Sequence, residues 1–260
     1  MEEDVCKFCA LEVYYFQGFL WRNDMQKLMT QIAQNLSFIA VCAAILVGLF
    51  LLAKLAERFL PHHKVSPARR VSIIGICSAL AAVLHILDFP LPFLAPDFYK
   101  LDFSELPVML CGFYLGPSAA VACEGVKILL KLLLKGTSTA FVGDFANFAV
   151  GCSLVLPAVI LYHIRKSRKS ALLGLIVGTI VLTIFGTAFN AVYLLPKFAQ
   201  LYGMPLEVII GFGNAIHASI QDVSSFVLLC VAPLNLIKGI SISVLTLLLY
   251  KRVARPLFGK

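Results

Sequence analysis

What most constrains this chain is a succession of apolar runs, each about as long as a bilayer is thick, separated by short charged or proline-rich stretches. A helix needs about 20 apolar residues to cross the hydrocarbon core of a membrane. In lipid, only helices or closed barrels satisfy all of their own backbone polar groups. Runs of spanning grade begin at Phe38, Val71, Phe141, Ala171 and Pro233, with shorter or interrupted ones between them. Of the 260 residues, 60% are hydrophobic and 14% charged, against roughly 45–50% and about 25% in soluble domains. The fold class these numbers define is an all-α integral membrane protein that crosses the bilayer several times.

The net charge of +8 does not point to nucleic acid, because the basic residues sit in short clusters between apolar runs. His62, His63, Lys64, Arg69 and Arg70 form one, His163 to Lys169 another, and Lys251, Arg252, Arg255 and Lys260 the last. Lys and Arg collect in cytoplasmic loops. All three clusters fall on one side if the core from Arg69 onward has six spans and both its ends are cytoplasmic. The proline-rich stretch Asp88–Asp97 and the segment from Pro196 to about Glu207 are then external loops. An extra span at about 37–60 brings the count to seven and puts the N-terminus outside. Its flank suits that, with five acidic against three basic residues before Met29. The division is an N-terminal extension, residues 1–65, and a membrane domain, residues 66–260. The extension reads as a branch-specific addition, or the chain starts at Met25 or Met29. The apolar but polar-interrupted stretch 208–230 precedes a final helix predicted from Pro233 to Tyr250, with Pro233 in its first turn, where a missing N–H costs little.

Several chemistries find no support. There is no GxxxxGK[ST] phosphate loop, no HExxH and no carboxylate pair at catalytic spacing. Cys6 and Cys9 form a lone CxxC, short of the four ligands a zinc site usually needs. Cys42, Cys77, Cys111, Cys123, Cys152 and Cys230 lie in apolar runs, where a thiol behaves as a small hydrophobe. No metal, resident cofactor or catalytic residue is expected. A membrane enzyme or a ligand-free scaffold is the alternative of another class.

The residues most costly to bury in lipid are Glu124, Lys127, Lys131, Asp144, Asn147, Asn190, Asn235 and Lys238. An ionisable residue inside a membrane segment is by default a functional-site hypothesis. Glu124, Lys127 and Lys131 share one helix stripe, as do Asp144 with Asn147 and Asn235 with Lys238. An internally paired stripe is the bland reading of the first set. Asp144, Asn190 and Lys238 all fall toward the external ends of their helices, so convergence on one pocket is expected. A neutral, aromatic-walled pocket with a few amides and one lysine suits a planar, polar-edged organic ligand.

In order along the chain stand Leu101-Asp-Phe-Ser-Glu-Leu-Pro107, Gly112-Phe-Tyr-Leu-Gly-Pro117, Glu124-Gly-Val-Lys127, Gly143-Asp-Phe-Ala-Asn-Phe148, Asn190 with Leu195-Pro196, and Ala232-Pro-Leu-Asn-Leu-Ile-Lys-Gly239. In these landmarks the stretch from about Arg69 to Leu257 resembles the substrate-binding (S) component of an energy-coupling factor (ECF) vitamin transporter, of the riboflavin-specific branch. The resemblance implies a six-helix core in a prokaryotic cell membrane, with the 37–60 helix as an addition. It implies capture of riboflavin from outside, and partnership with a transmembrane coupling subunit and two ABC-type ATPases. Another vitamin or a flavin nucleotide is the alternative ligand. By position, Asn235, Lys238 and Asn190 match ligand-binding residues, and Leu101 and Asp102 match the loop that closes over the ligand. Asp144, which stands where many relatives have Glu, joins the candidate site with Asn147 and Glu124. Gly75 and Ala79, with Ser78 and Ala82 one step round the helix, match the small residues against which the coupling subunit packs.

Overall fold

The helices of this protein begin and end where local chemistry dictates. In the computed structural model the described residues are 36–60, 65–137, 139 and 141–258. Cys6, Cys9, His62, His63, Lys64 and Lys260 lie outside them. The chain divides into two compact units, residues 1–47 and 48–260, and the candidate site residues belong to the second. Helix α1 (Leu36–Phe59) falls where the additional span is predicted. It is followed by α2 (Pro67–Ile86), β1 (Phe89–Pro90), β2 (Lys100–Leu101), α3 (Glu105–Leu115), α4 (Pro117–Lys135) and α5 (Val142–Arg165). Helix α6 (Arg168–Phe189) runs through a π-turn, Asn190–Leu194, into α7 (Leu195–Tyr202). Helix α8 (Leu206–Asn214) comes next, and α9 (Val223–Phe226) passes through a second π-turn, Val227–Val231, into α10 (Ala232–Phe258). The strands form one antiparallel ladder, Phe89 opposite Leu101, which closes the loop between α2 and α3.

Among the described residues, four helices are long and apolar enough to cross a membrane: Pro67–Ile86, Val142–Arg165, Arg168–Tyr202 and Val223–Tyr250. Two others fall short for reasons in their residues. Helix α3 is 11 residues long, and α4 carries Glu124, Lys127, Lys131 and Lys135.

Two sequence expectations are corrected here. Pro196 was expected to open a loop and Pro233 to start a helix; each instead lies inside a continuous helical run. A proline removes one ladder bond and its ring collides with the carbonyl four residues back. In both places the preceding π-turn absorbs this. The Leu195 N–H donates to the Asn190 carbonyl, and the Ala232 N–H to that of Val227, each five residues back. The last span begins ten residues early, at Val223, because Asp222 and Ser225 form a capping box in which Asp222 Oδ1 accepts the Ser225 N–H at 2.7 Å.

The interior is organised around α3. Every residue from Glu105 to Phe113 is buried, as befits a helix apolar on nearly all sides, and α2, α4, α5 and α10 pack around it. Helix α6 closes on α5 through Gly174 and Gly178, where a Cβ would stand 2.6 Å and 2.5 Å from the carbonyl oxygens of Ala158 and Leu154. Small residues four apart are what let helix backbones approach so nearly in lipid. The outward faces are apolar: Leu173, Ile176, Ile180 and Ile184 on α6, and Leu236, Ile240, Val244 and Leu248 on α10, are all exposed. That arrangement suits a hydrocarbon surround and not water.

The proposed coupling face of α2 is divided by its rotation. Gly75 and Ala79 are exposed. Ser78 and Ala82 are buried, and the Ser78 hydroxyl donates to the Cys123 carbonyl of α4 at 3.2 Å. These last two face the protein's own interior, which corrects their expected place on a partner surface.

Candidate ligand-binding site

One end of the helix bundle holds a half-open cavity of about 270 Å³, just under the roughly 300–1,000 Å³ usual for small-molecule sites. Its walls come from the loop between α2 and α3 (Phe98, Tyr99, Asp102), from α4 (Lys131), from α5 (Asp144, Asn147), from the first π-turn and α7 (Asn190, Phe198, Tyr202), and from α10 (Asn235, Lys238). The predicted convergence of Asp144, Asn147, Asn190, Asn235 and Lys238 is therefore what the fold produces. Asp102 joins them. Leu101 and Glu124 do not line the cavity: Leu101 is buried in the ladder with Phe89, and Glu124 is buried deeper, bonded to Lys127.

Each polar wall residue is held differently. Asn190 donates through Nδ2 to the Gly186 carbonyl at 2.7 Å, and its Oδ1 accepts the Tyr99 hydroxyl at 2.7 Å. Asn235 packs against the same glycine, and a Cβ on Gly186 would lie 2.6 Å from its Nδ2. That Nδ2 is buried without a hydrogen-bond partner among the described residues, and a buried polar atom left unpaired calls for an explanation, a ligand being one. Asn147 turns its amide back to the Gly143 carbonyl at 3.1 Å.

The charged residues sort into pairs. Lys238 donates to Asp102 Oδ2 at 3.1 Å and to Glu105 Oε1 at 3.0 Å. An ammonium has three donors, so among the described residues one remains without an acceptor. Lys131 donates to Asp144 Oδ1 at 2.5 Å, and Lys100 to Asp88 at 3.4 Å. The wall is thus polar and internally neutralised, where the sequence suggested an uncharged pocket with one lysine. Glu124 and Asp144 are paired with Lys127 and Lys131 and not with Lys238. Asp102 also accepts the Ser104 N–H at 2.8 Å, and its Oδ2 lies 3.5 Å from His85 Nδ1. Burial pushes the Asp102 carboxyl up, but Lys238, His85 and Lys127 together outweigh it and hold the group well below the usual carboxylate range.

Sequence reasoning missed Tyr99, His85 and Glu105. Tyr99 lies in a proline-rich loop where an aromatic residue carries no signal of its own, and its ring packs at a tilt against those of Phe98 and Phe226. Glu105 opens a helix, where an acidic residue is ordinary and gives no sign that it will be buried.

A multi-pass helical bundle with a polar cavity, walled by an aromatic loop and by amide and ammonium groups from separate helices, defines a class: a membrane protein built to bind a small molecule. The chain belongs to the substrate-specific components of ECF transporters, whose sequence profile, "ECF transporter, substrate-specific component", matches residues 69–250. It is 38% identical over 191 residues to the riboflavin transporter RibU of Staphylococcus aureus (strain TCH60), a match covering 72% of this chain and 90% of that one. It is 31% identical to the riboflavin transporter FmnP of Bacillus subtilis (strain 168), over 70% of this chain and 90% of the relative. A solved structure described as "Structure and mechanism of the S component of a bacterial ECF transporter" superposes with a TM-score of 0.57 at 38% identity, covering 73% of this chain and 98% of that one. The protein is therefore a transport subunit, not an enzyme.

Proposed function

We propose that this chain binds riboflavin in the cavity described and delivers it across a prokaryotic cell membrane together with an ECF coupling subunit and two ABC-type ATPases. The observation that carries the reading is on α10: Asn235 Nδ2, without a hydrogen-bond partner among the described residues, and a Lys238 ammonium with two of its three donors engaged there share a cavity wall. The pyrimidine edge of a flavin alternates carbonyl acceptors with an N–H donor, so a side-chain amide beside an ammonium can meet it at consecutive positions. Phe98, Tyr99, Phe198 and Tyr202 offer apolar surface for the tricyclic ring. Identity of 38% to a protein named as a riboflavin transporter supports the same ligand.

The S-component core has six helical passes, made by α2, α3, α4, α5, the α6–α7 run and the α9–α10 run, with α1 as an added spanning helix. Its basic clusters lie in the cytoplasm. The coupling subunit packs on the exposed Gly75 and Ala79 of α2. Purified protein is expected to carry flavin absorbance and to quench riboflavin fluorescence in a saturable titration. Absence of both would reject the ligand.

A further inference from the structure

We propose that Glu105 is a positioning residue for the ligand, acting through Lys238 without reaching the cavity. The inference rests on the riboflavin reading and extends it one residue inward. Glu105 is 1% exposed and is not among the cavity-lining residues. Its Oε1 accepts Lys238 at 3.0 Å and Lys127 at 3.4 Å, while Oε2 is buried with no hydrogen-bond partner among the described residues.

The two carboxylates that hold Lys238 are not equivalent. Asp102 belongs to the loop between α2 and α3, directly after the two-residue strand β2. Glu105 is the first residue of α3, the helix buried on every side. Behind Glu105 stands a fixed frame: Lys127 also donates to Ser104 Oγ at 3.0 Å and is bonded to Glu124. Gly151 of α5 completes it, since a Cβ there would lie 2.0 Å from Glu124 Oε1 and 3.3 Å from Glu105 Oε1. The relay Lys238–Glu105–Lys127–Glu124 therefore ties the ligand-facing ammonium on α10 to α3 and α4, against α5. A buried ammonium follows its carboxylates. With the charge of Glu105 removed, Lys238 is drawn to Asp102 alone and moves with the loop, off the wall it shares with Asn235.

A double-mutant cycle on the purified full chain separates this from a plain structural role. Glu105→Gln keeps the side chain's shape and is expected to weaken riboflavin binding about tenfold, which corresponds to about 1.4 kcal/mol. In a Lys238→Met background the same change is expected to add nothing, because the group through which Glu105 acts is gone. Equal losses in both backgrounds, or an unchanged affinity of Glu105→Gln, would overturn the proposal. Should Glu105→Gln not fold, Glu105→Gln with Lys127→Gln removes one charge of each sign from the buried cluster. It is expected to lose the same affinity, and wild-type affinity in that protein overturns the proposal equally. Wild-type protein that binds no riboflavin overturns the ligand reading and this inference with it, whereas equal binding by wild type and Glu105→Gln overturns this inference alone.

Discussion

At the scale of single residues, Lys238 shows how a charge can be both costly and useful inside a membrane protein. Taking an isolated charge out of an apolar helix would in general be expected to spare the fold. The structure reverses that expectation, because Lys238 neutralises Asp102 and Glu105, and both are buried. Breaking one partner out of a buried ion pair costs about 3–5 kcal/mol. Lys127 and His85 remain beside the two carboxylates, which puts Lys238→Ala at the low end, about 3 kcal/mol. Lys238→Ala is thus expected to lower the thermal unfolding midpoint in detergent and also to weaken riboflavin binding by tenfold or more, a charged hydrogen bond being worth roughly 1.5–3 kcal/mol. An unchanged midpoint would contradict the pairing. The i, i+3 spacing of Asn235 and Lys238 made their common face legible in the sequence. Their partners were not, for Asp102 and Glu105 lie 136 and 133 residues away from Lys238 along the chain, and no local pattern encodes such a meeting.

At the scale of elements, the apolar runs were readable because lipid leaves the backbone few choices. The ends of those runs were less so. Asp222-Val-Ser-Ser225 carries a start signal in plain view, a capping box of the kind that opens helices, yet its polar residues looked like an interruption of an apolar stretch. Asp222→Ala is expected to lower the unfolding midpoint and to speed hydrogen exchange at the amides of Val223 to Ser225, most clearly Ser225, whose N–H the carboxylate accepts. Unaltered exchange at Ser225 would show the cap to be idle. The π-turns ahead of Pro196 and Pro233 had no sequence signal at all. A proline announces a lost bond, but whether the chain breaks there or widens by one residue depends on what packs around it. Ser78 and Ala82 were misplaced for a related reason: in a helix, one residue of offset turns a side chain by about 100°, enough to carry it from the lipid face to the Cys123 contact.

For the whole molecule, the proposed binding cavity and the proposed coupling face are separate surfaces. The cavity lies at one end of the bundle, whereas Gly75 and Ala79 sit on the outward face of α2 and line no part of it. A Cβ built on Gly75 meets nothing within 4 Å, so a larger side chain fits the subunit on its own. Gly75→Leu combined with Ala79→Leu is expected to leave riboflavin affinity unchanged and to abolish uptake in cells that carry the energising subunits. Loss of binding in the purified double variant would mean that this face shapes the cavity after all.

The ties across the α2–α3 loop set the terms on which any ligand is held. Tyr99 is bonded to Asn190 and Asp102 to Lys238, so the loop already occupies hydrogen-bonding groups that an incoming molecule would claim. Association is therefore an exchange of partners on those side chains and not a simple gain, and the net affinity is the difference between two sets of bonds. A protein arranged this way holds a ligand only as firmly as the ligand's bonds exceed those its own loop already makes.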